Sequence, residues 1–331
     1  MSQSLDRRQV FPPVFQDLSK GLVAGVLYLS YLLSFAYLIP LQTAFTGRGL
    51  RSGWIASLAA ALTIVVGSGI RLAGLGGFAI SSLAASSAPP LLLLVALGLI
   101  NAKPGRIGRA GRIVLVAGLL SAAVSPFVFR IIMNPAFRQA MASFAEATLT
   151  ASGMELSRGK AVDEAVGSAL RIIGSGFAPM ILGMLGFSWW MGSNLALRSR
   201  FLPIEEEERI ARIKAISLWR FRVPQSALWP SLASWAFLFA VLVGKGGPVL
   251  SAVAWNIALF FACPYAVQGL GILGFVQEAY PAARFLRLLG PLAVILLALS
   301  PAVGTIIIIG LPLLGITEVW IPYRTIKGAS K

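Results

Sequence analysis

Histidine is absent from this 331-residue chain, cysteine occurs once, and only twelve residues are acidic. Without histidine there are no histidine-ligated zinc sites, serine–histidine dyads or imidazole proton relays, and the lone Cys263 excludes an internal disulfide. No acidic residue falls in the middle of a long apolar run, where an ion-carrying carboxylate would be expected. No GxxxxGK[ST] P-loop occurs either, so any energy must come from a partner. These absences predict a protein that is not an enzyme and holds no metal or cofactor.

Long apolar runs dominate what is present. Hydrophobic residues make up 57% of the chain and charged residues 12%, whereas about a quarter of a soluble domain is charged. A spanning helix needs roughly 20 apolar residues and bonds its own backbone. The runs are continuous rather than alternating, which favours helices over strands. We therefore predict an all-α, polytopic transmembrane bundle surrounded by membrane lipids, with charge-free runs at 21–47, 52–70, 72–102, 113–129, 172–197, 223–244, 246–277 and 288–317.

Two of these runs, 72–102 and 288–317, are too long for one ordinary crossing. Each has proline near its middle, at Pro89 and Pro90 in the first and at Pro301 in the second. Because proline lacks a backbone donor and disfavours helical geometry in the residue before it, we predict that each run forms a short helical hairpin. The count is then about ten spans, with eight remaining possible.

Basic residues between the runs predict the orientation. With ten spans and a cytoplasmic N-terminus, 20 Lys and Arg residues fall inside and 8 outside, as the positive-inside rule requires. The net charge of +16 therefore indicates membrane topology, and no nucleic-acid partner is expected. The predicted location is the bacterial inner membrane, with both termini cytoplasmic.

The spacing of charged segments predicts the organisation of the chain. Residues 134–171 have apolar residues at helical spacing and are predicted to form two amphipathic helices broken near Gly153, although a solvated connector is an alternative. In the charged segment 198–222, which we call the elbow, Glu205 with Arg209 and Glu208 with Arg212 are spaced as helical ion pairs. The segments are a cytoplasmic leader 1–20, an N-terminal bundle 21–197 with the external insert 134–171, a charged elbow helix 198–222, a C-terminal bundle 223–320 and a cytoplasmic tail 321–331.

Neutral polar residues within the apolar runs are candidate binding residues. Asn256 and Gln268 share one run but lie about 120° apart around a helix, and Asn194 follows Trp189 in another. Buried amides commonly hydrogen-bond between helices, which is the structural interpretation. The functional alternative is that these four residues line a cavity for a neutral or weakly polar ligand.

Arg48 and Arg51 depart from the charge bias, since both are assigned to an external, glycine-rich loop after the first span. One interpretation is contact with an anionic ligand at a pocket mouth, because guanidinium groups fit carboxylate and phosphate. The other is that both side chains reach lipid headgroups.

Three segments of the C-terminal third resemble a known family. FRVP (221–224), YAVQGLGIL (265–273) and LPLLGITEVWIPYR (311–324) are similar to the YybS-like family of predicted bacterial membrane proteins, and IPLQTAFTGRGLRSGWIASLAA is similar to that family's opening segment. The family usually has aspartate at the position of Glu318. The residues that carry the resemblance are Arg222, Pro224, Gly269, Gly315, Glu318 and Arg324.

The resemblance implies a fold similar to the substrate-capture S components of energy-coupling factor transporters. Those components bind vitamins or metal ions beneath an external loop after the first span. The leading expectation is thus solute binding or uptake that depends on partner subunits. The alternatives are a non-transporting scaffold or assembly factor, whose elbow and tail bind membrane or cytoplasmic protein partners, and lipid handling.

Overall fold

A computed structural model describes residues 12–74, 79–102, 107–151, 160–199, 204–279 and 301–325. Over these ranges the regular structure is helical, which confirms the all-α prediction. Six helices, α3, α4, α5, α7, α9 and α10, are long and apolar enough to cross a membrane, so the chain is a multi-pass membrane protein. The helices are α1 (Pro13–Leu29), α2 (Leu38–Arg48), α3 (Leu50–Gly74), α4 (Ile80–Asn101), α5 (Arg109–Ile132), α6 (Pro135–Ala151), α7 (Lys160–Arg198), α8 (Glu206–Ala215), α9 (Leu228–Val243), α10 (Pro248–Ala279) and α11 (Pro301–Thr317).

The helices form two compact units. The first unit combines 1–120 with 182–216, and the second combines 121–181 with 217–331. Helices α5 and α7 each contribute residues to both units. The sequence analysis placed the division at the charged elbow.

In the first unit, the run 21–47 forms two helices where one span was predicted. Helices α1 and α2 are antiparallel, since Arg48 pairs with Asp17 at 3.1 Å and the rings of Tyr28 and Tyr37 are 5.3 Å apart at the other end. The predicted single crossing is therefore wrong. Arg48 lies at the same end of the unit as the start of α1.

Arg71 stabilises the break between α1 and α2. Its guanidinium donates to the Leu29 carbonyl at 2.9 Å and stacks over the Tyr31 ring, 4.3 Å from the centroid. Tyr31 has a φ of 56°, a left-handed conformation that ends a helix. The arginine thus satisfies a carbonyl that the end of α1 leaves without a helical donor.

Helix α4 runs through Pro89 and Pro90 without interruption, so the predicted hairpin in 72–102 is wrong. The missing N–H of Pro90 deprives the Ser86 carbonyl, four residues earlier, of its helical donor. The Tyr28 hydroxyl donates to this carbonyl at 3.4 Å, and the Tyr37 hydroxyl donates to the Pro90 carbonyl at 2.9 Å. Hydroxyl donors of this kind let a membrane helix keep proline in its interior.

Glycines allow α1 to pack closely on α3. A Cβ at Gly21 would lie 2.3 Å from the Ala56 carbonyl oxygen, and one at Gly25 would lie 2.4 Å from Thr63. The contacting positions advance together along both helices, so α1 and α3 are parallel. This matches a hairpin in which α2 returns to the start of α3.

The insert and the elbow are helical, with bounds that differ from the predictions. Helix α6 covers 135–151, as predicted, whereas the second insert helix continues into the following span as α7. In α8, Glu208 pairs with Arg212 at 2.5 Å, and Arg209 pairs with Glu206 in place of Glu205.

Helix α11 begins at Pro301, the predicted break in 288–317, and the first half of that predicted hairpin lies outside the described residues.

In the second unit, α9 packs against α10 through Trp235 and Trp255, whose rings meet edge to face at 6.4 Å. The Asn256 amide joins α10 to α7. Its oxygen accepts from the Ala178 N–H at 2.9 Å and its nitrogen donates to the Gly174 carbonyl at 2.5 Å. These two backbone groups, four residues apart, lie just before Pro179 within α7.

The uninterrupted helix α4, which follows α3, makes a prediction about sidedness that single cysteines test. In a Cys263→Ser background, Gly47→Cys, Gly74→Cys and Gly108→Cys each introduce a side chain into open space. A membrane-impermeant maleimide should label Gly47→Cys and Gly108→Cys from the same side of the membrane and Gly74→Cys from the other. Labelling of Gly74→Cys and Gly108→Cys from the same side, with Gly47→Cys on the other, would instead restore the hairpin predicted in 72–102.

Candidate functional site

A cluster of neutral polar side chains lies inside the first unit. Gln42 is fully buried, and its amide nitrogen donates to Thr46, Asn101 and Ser193 at 2.9, 3.1 and 3.2 Å. Asn101 returns a hydrogen bond to the Gln42 oxygen at 2.7 Å. The hydroxyls of Thr46 and Ser193 are 3.1 Å apart. The cluster thereby joins α2, α4 and α7.

Close packing of helices brings this cluster together. Thr46 follows Gln42 by one helical turn on α2, which puts both on one face. A Cβ at Gly192 would lie 2.8 Å from the Ile39 carbonyl oxygen, so glycine is needed for α7 to approach α2 here. Ser193 follows this contact directly and reaches the amide.

The polar cluster forms part of the wall of a pocket of about 370 Å³. The size falls within the range of small-molecule sites. Apolar and neutral polar side chains form most of the lining, and two arginines from different helices complete it. All lining residues belong to the first unit: Phe45, Thr46, Gly49, Leu50, Asn101, Arg109, Ser193, Leu197, Arg212, Ala215 and Ile216.

Arg48 and Arg51 lie near this pocket in sequence, yet neither is among its lining residues. Arg48 forms an ion pair with the buried Asp17 carboxylate and donates to Gln16. Arg51 lies exposed in the first turn of α3. Contact of either arginine with a ligand stays a prediction. The predicted position of both arginines at the end opposite the leader is wrong, because the α1–α2 hairpin brings the chain back to the end where α1 starts.

The other predicted binding residues do not share a site. Asn194 donates to the Trp190 carbonyl of its own helix at 2.9 Å. Asn256 bonds to α7, and Gln268 bonds to α11 and to the segment before α9. The structural interpretation of Asn256 and Gln268 is confirmed, because both amides join separate elements. Neither these residues nor Trp189 line the pocket, so ligand binding by this set stays a prediction.

Residues that carry the family resemblance converge in the second unit. The carboxylate of Glu318 and the guanidinium of Arg324 are 3.0 Å apart, with only 4% and 5% of their side chains exposed. The contact is ionic, since the two facing atoms are not aligned as a hydrogen bond. Arg222 approaches the same carboxylate at 3.9 Å. Gln268 donates to the other carboxylate oxygen at 2.9 Å. We name Arg222, Gln268, Glu318 and Arg324 the clasp.

The clasp also satisfies the backbone of the elbow. Arg324 donates to the carbonyls of Trp219 and Phe221 at 2.7 and 3.0 Å. The Gln268 oxygen accepts from the Val223 N–H, next to Pro224, at 2.6 Å. Burial lowers the pKa of the Arg324 guanidinium, and the Glu318 carboxylate opposes this by raising that pKa. Arginine starts so far above neutrality that the Arg324 guanidinium remains charged.

Glycines make room for the clasp along α10 and α11. A Cβ at Gly315 would lie 2.0 Å from the Tyr265 carbonyl oxygen, and one at Gly269 would lie 2.2 Å from that of Leu311. On α10, a Cβ at Gly274 would lie 2.0 Å from the Trp219 ring. The backbone of α11 and the elbow can therefore both approach α10 closely.

The sequence analysis missed Gln42, Asn101 and Ser193 of the polar cluster and the pocket-lining residues Arg109 and Arg212. Gln42 was detectable, because an amide inside the run 21–47 is as costly to bury unpaired as Asn256. Asn101 and Arg109 lie at the ends of runs, where polar residues are ordinary. Within the described ranges, no group of three Cys, Asp or Glu side chains could hold a metal ion.

No protein-family model, curated protein or solved structure matches this chain. The resemblance to the YybS-like family therefore stays a prediction. The pocket and the clasp stand on their geometry.

Removing one partner of the buried clasp should destabilise the second unit strongly. Glu318→Ala leaves the Arg324 charge buried without its counterion, which typically costs about 3–5 kcal/mol. We expect a clearly lower unfolding temperature for this variant in detergent. The unfolding is monitored by tryptophan fluorescence. Glu207→Ala removes an exposed carboxylate on α8 and should change little. Equal unfolding temperatures for the two variants would show that the pair is not stabilising the fold.

Proposed function

We propose that this protein binds a small polar solute in the pocket of its first unit and works with partner subunits that supply energy. The observation that carries the proposal is the polar cluster on the wall of a 370 Å³ pocket. A buried amide network of this kind is expensive in an apolar surrounding unless its groups are paired. Polar groups at a pocket wall also provide selectivity toward a polar ligand.

The orientation that we propose keeps both termini in the cytoplasm of a bacterial cell. In the first unit, basic residues concentrate at the end where α1 starts, whereas Arg71 lies at the other end. The positive-inside rule puts the basic end in the cytoplasm. The pocket then opens on the cytoplasmic side, which in an uptake protein is the side of solute release. The basic residues at the end where α1 starts include Arg48, Arg51, Arg109, Arg112, Arg198, Arg209, Arg212 and Lys214.

A count of ten helical segments in the membrane is also part of the proposal. Six helices are long enough to cross, and the α1–α2 hairpin adds two shorter ones. Helix α11 is a ninth segment, and the tenth, predicted in the first half of 288–317, lies outside the described residues. The proposal keeps two features of the S-component-like interpretation, the helical bundle and the dependence on partner subunits. It differs in where the solute binds, which is the pocket of the first unit instead of an external loop.

A pocket-filling variant tests solute binding. Ala215 lines the pocket and is exposed, so Ala215→Trp should occupy it without disturbing the core. Native mass spectrometry of purified protein should show a small molecule retained by the wild type and lost from Ala215→Trp. Ala211→Trp, exposed on the same helix outside the pocket lining, is the matched control. Identical retained molecules in all three proteins would contradict the proposal.

The clasp favours a second candidate, a scaffold that binds a protein partner. It holds the elbow and the tail together and leaves Trp219, Trp320 and Arg222 exposed by 41%, 64% and 59%. Aromatic and arginine side chains are enriched where proteins bind each other.

Photo-crosslinking discriminates between the candidates. A photoreactive phenylalanine at Trp320 should capture a protein if the scaffold candidate holds. The same group at Phe239, exposed by 70% on the membrane helix α9, should capture lipid. Lipid adducts alone at both positions would rule the scaffold candidate out.

A further inference from the structure

The pocket of the first unit offers a free hydrogen-bond donor. Thr46 and Ser193 have one hydroxyl hydrogen each, and the 3.1 Å contact between them uses one of the two. The Gln42 amide nitrogen shares its two hydrogens among Thr46, Asn101 and Ser193, and because it is only a donor it takes neither hydroxyl hydrogen. Within the described ranges the remaining hydrogen has no acceptor. Since both hydroxyls belong to pocket-lining residues, a ligand oxygen is the group that would complete this cluster.

Two guanidinium groups lie around the same pocket. Arg109 is the first residue of α5 and Arg212 belongs to α8, and no acidic side chain is among the lining residues. Arg212 pairs with Glu208 on its own helix at 2.5 Å, with both side chains about half exposed at 51% and 50%. Exposed pairs of this type are weak, so Arg212 can exchange Glu208 for a ligand anion.

Helix dipoles do not set the charge of the pocket. Helices α3 and α5 begin beside it, whereas α2, α4, α7 and α8 end beside it. Each helix end carries only about half an elementary charge, negative at the C-terminus and positive at the N-terminus, so the two full guanidinium charges outweigh the excess of C-terminal ends. The arginines therefore determine which ligand charge is favoured.

We infer that the ligand carries an oxyanion, and a phosphate group in particular. The donors lie on four helices around the lining, namely the hydroxyl pair of α2 and α7, Arg109 of α5 and Arg212 of α8. A tetrahedral phosphate presents oxygens in several directions and binds guanidinium strongly. The phosphate belongs either to a soluble ester or to a lipid headgroup. This inference rests on the proposed function, because it names the ligand class of the same pocket.

Titration of purified protein with defined probes tests the inference. In low-salt detergent solution, inorganic phosphate and glycerol 3-phosphate should raise the unfolding temperature saturably, whereas glycerol should not. Arg109→Gln with Arg212→Gln should weaken the apparent affinity at least tenfold. The control Arg209→Gln with Lys214→Gln removes the same charge from α8 outside the pocket lining and should weaken it less than threefold.

A lipid arm separates the two sources of phosphate. If only the headgroup binds, nanodiscs of phosphatidylglycerol should stabilise the wild type more than nanodiscs of phosphatidylcholine, and the difference should vanish in Arg109→Gln with Arg212→Gln. The inference is overturned if no phosphate probe acts, or if the control pair loses as much affinity as the pocket pair. If Ala215→Trp still abolishes retention of a small molecule in that case, solute binding stands and only the ligand class is wrong. If retention is also unaffected, both proposals fail.

Discussion

Backbone carbonyls without a helical donor are the constraint on which this structure depends. In hydrocarbon each such group needs a partner, and at several places in this structure a side chain supplies it. Arg71 bonds to the end of α1, Tyr28 to the carbonyl left by Pro90, and Arg324 to the elbow. Ser125 likewise donates to the Ala122 carbonyl that Pro126 leaves without a donor, at 2.9 Å. Breaks and prolines are thus tolerated where a nearby donor exists.

This constraint explains which sequence predictions succeeded. Apolar runs identified the membrane helices because burial of a continuous apolar segment depends on composition alone. The amides of Asn256 and Gln268 were correctly expected to join helices, because an unpaired buried amide is costly wherever it lies. Both inferences need no knowledge of what surrounds the residue.

The failures concern residues whose effect depends on distant partners. Pro89 and Pro90 were expected to break a helix, yet α4 is continuous, and Tyr28, 58 residues before Ser86, donates to the carbonyl that Pro90 frees. No proline or charge marks the break between α1 and α2, where Arg71 provides the decisive hydrogen bond. The pocket was missed for the same reason, because Gln42 becomes a site residue only when α4 and α7 bring Asn101 and Ser193 to it. Counting arginines as topology markers overlooked their role as backbone donors.

The antiparallel pair α1 and α2 also bears on how the chain enters the membrane. The segment between them, SYLLSFAY, carries no charge, and Arg48 remains at the end where Asp17 lies. Insertion of this pair as a unit moves only uncharged residues through the hydrocarbon. In the orientation that we propose, a single first crossing would instead require Arg48 and Arg51 to be translocated, at a desolvation cost of a few kcal/mol each on insertion scales. The hairpin then spares the nascent chain this unfavourable early step, and Arg71, placed at the end of the next long helix, is the first described basic residue that has to cross.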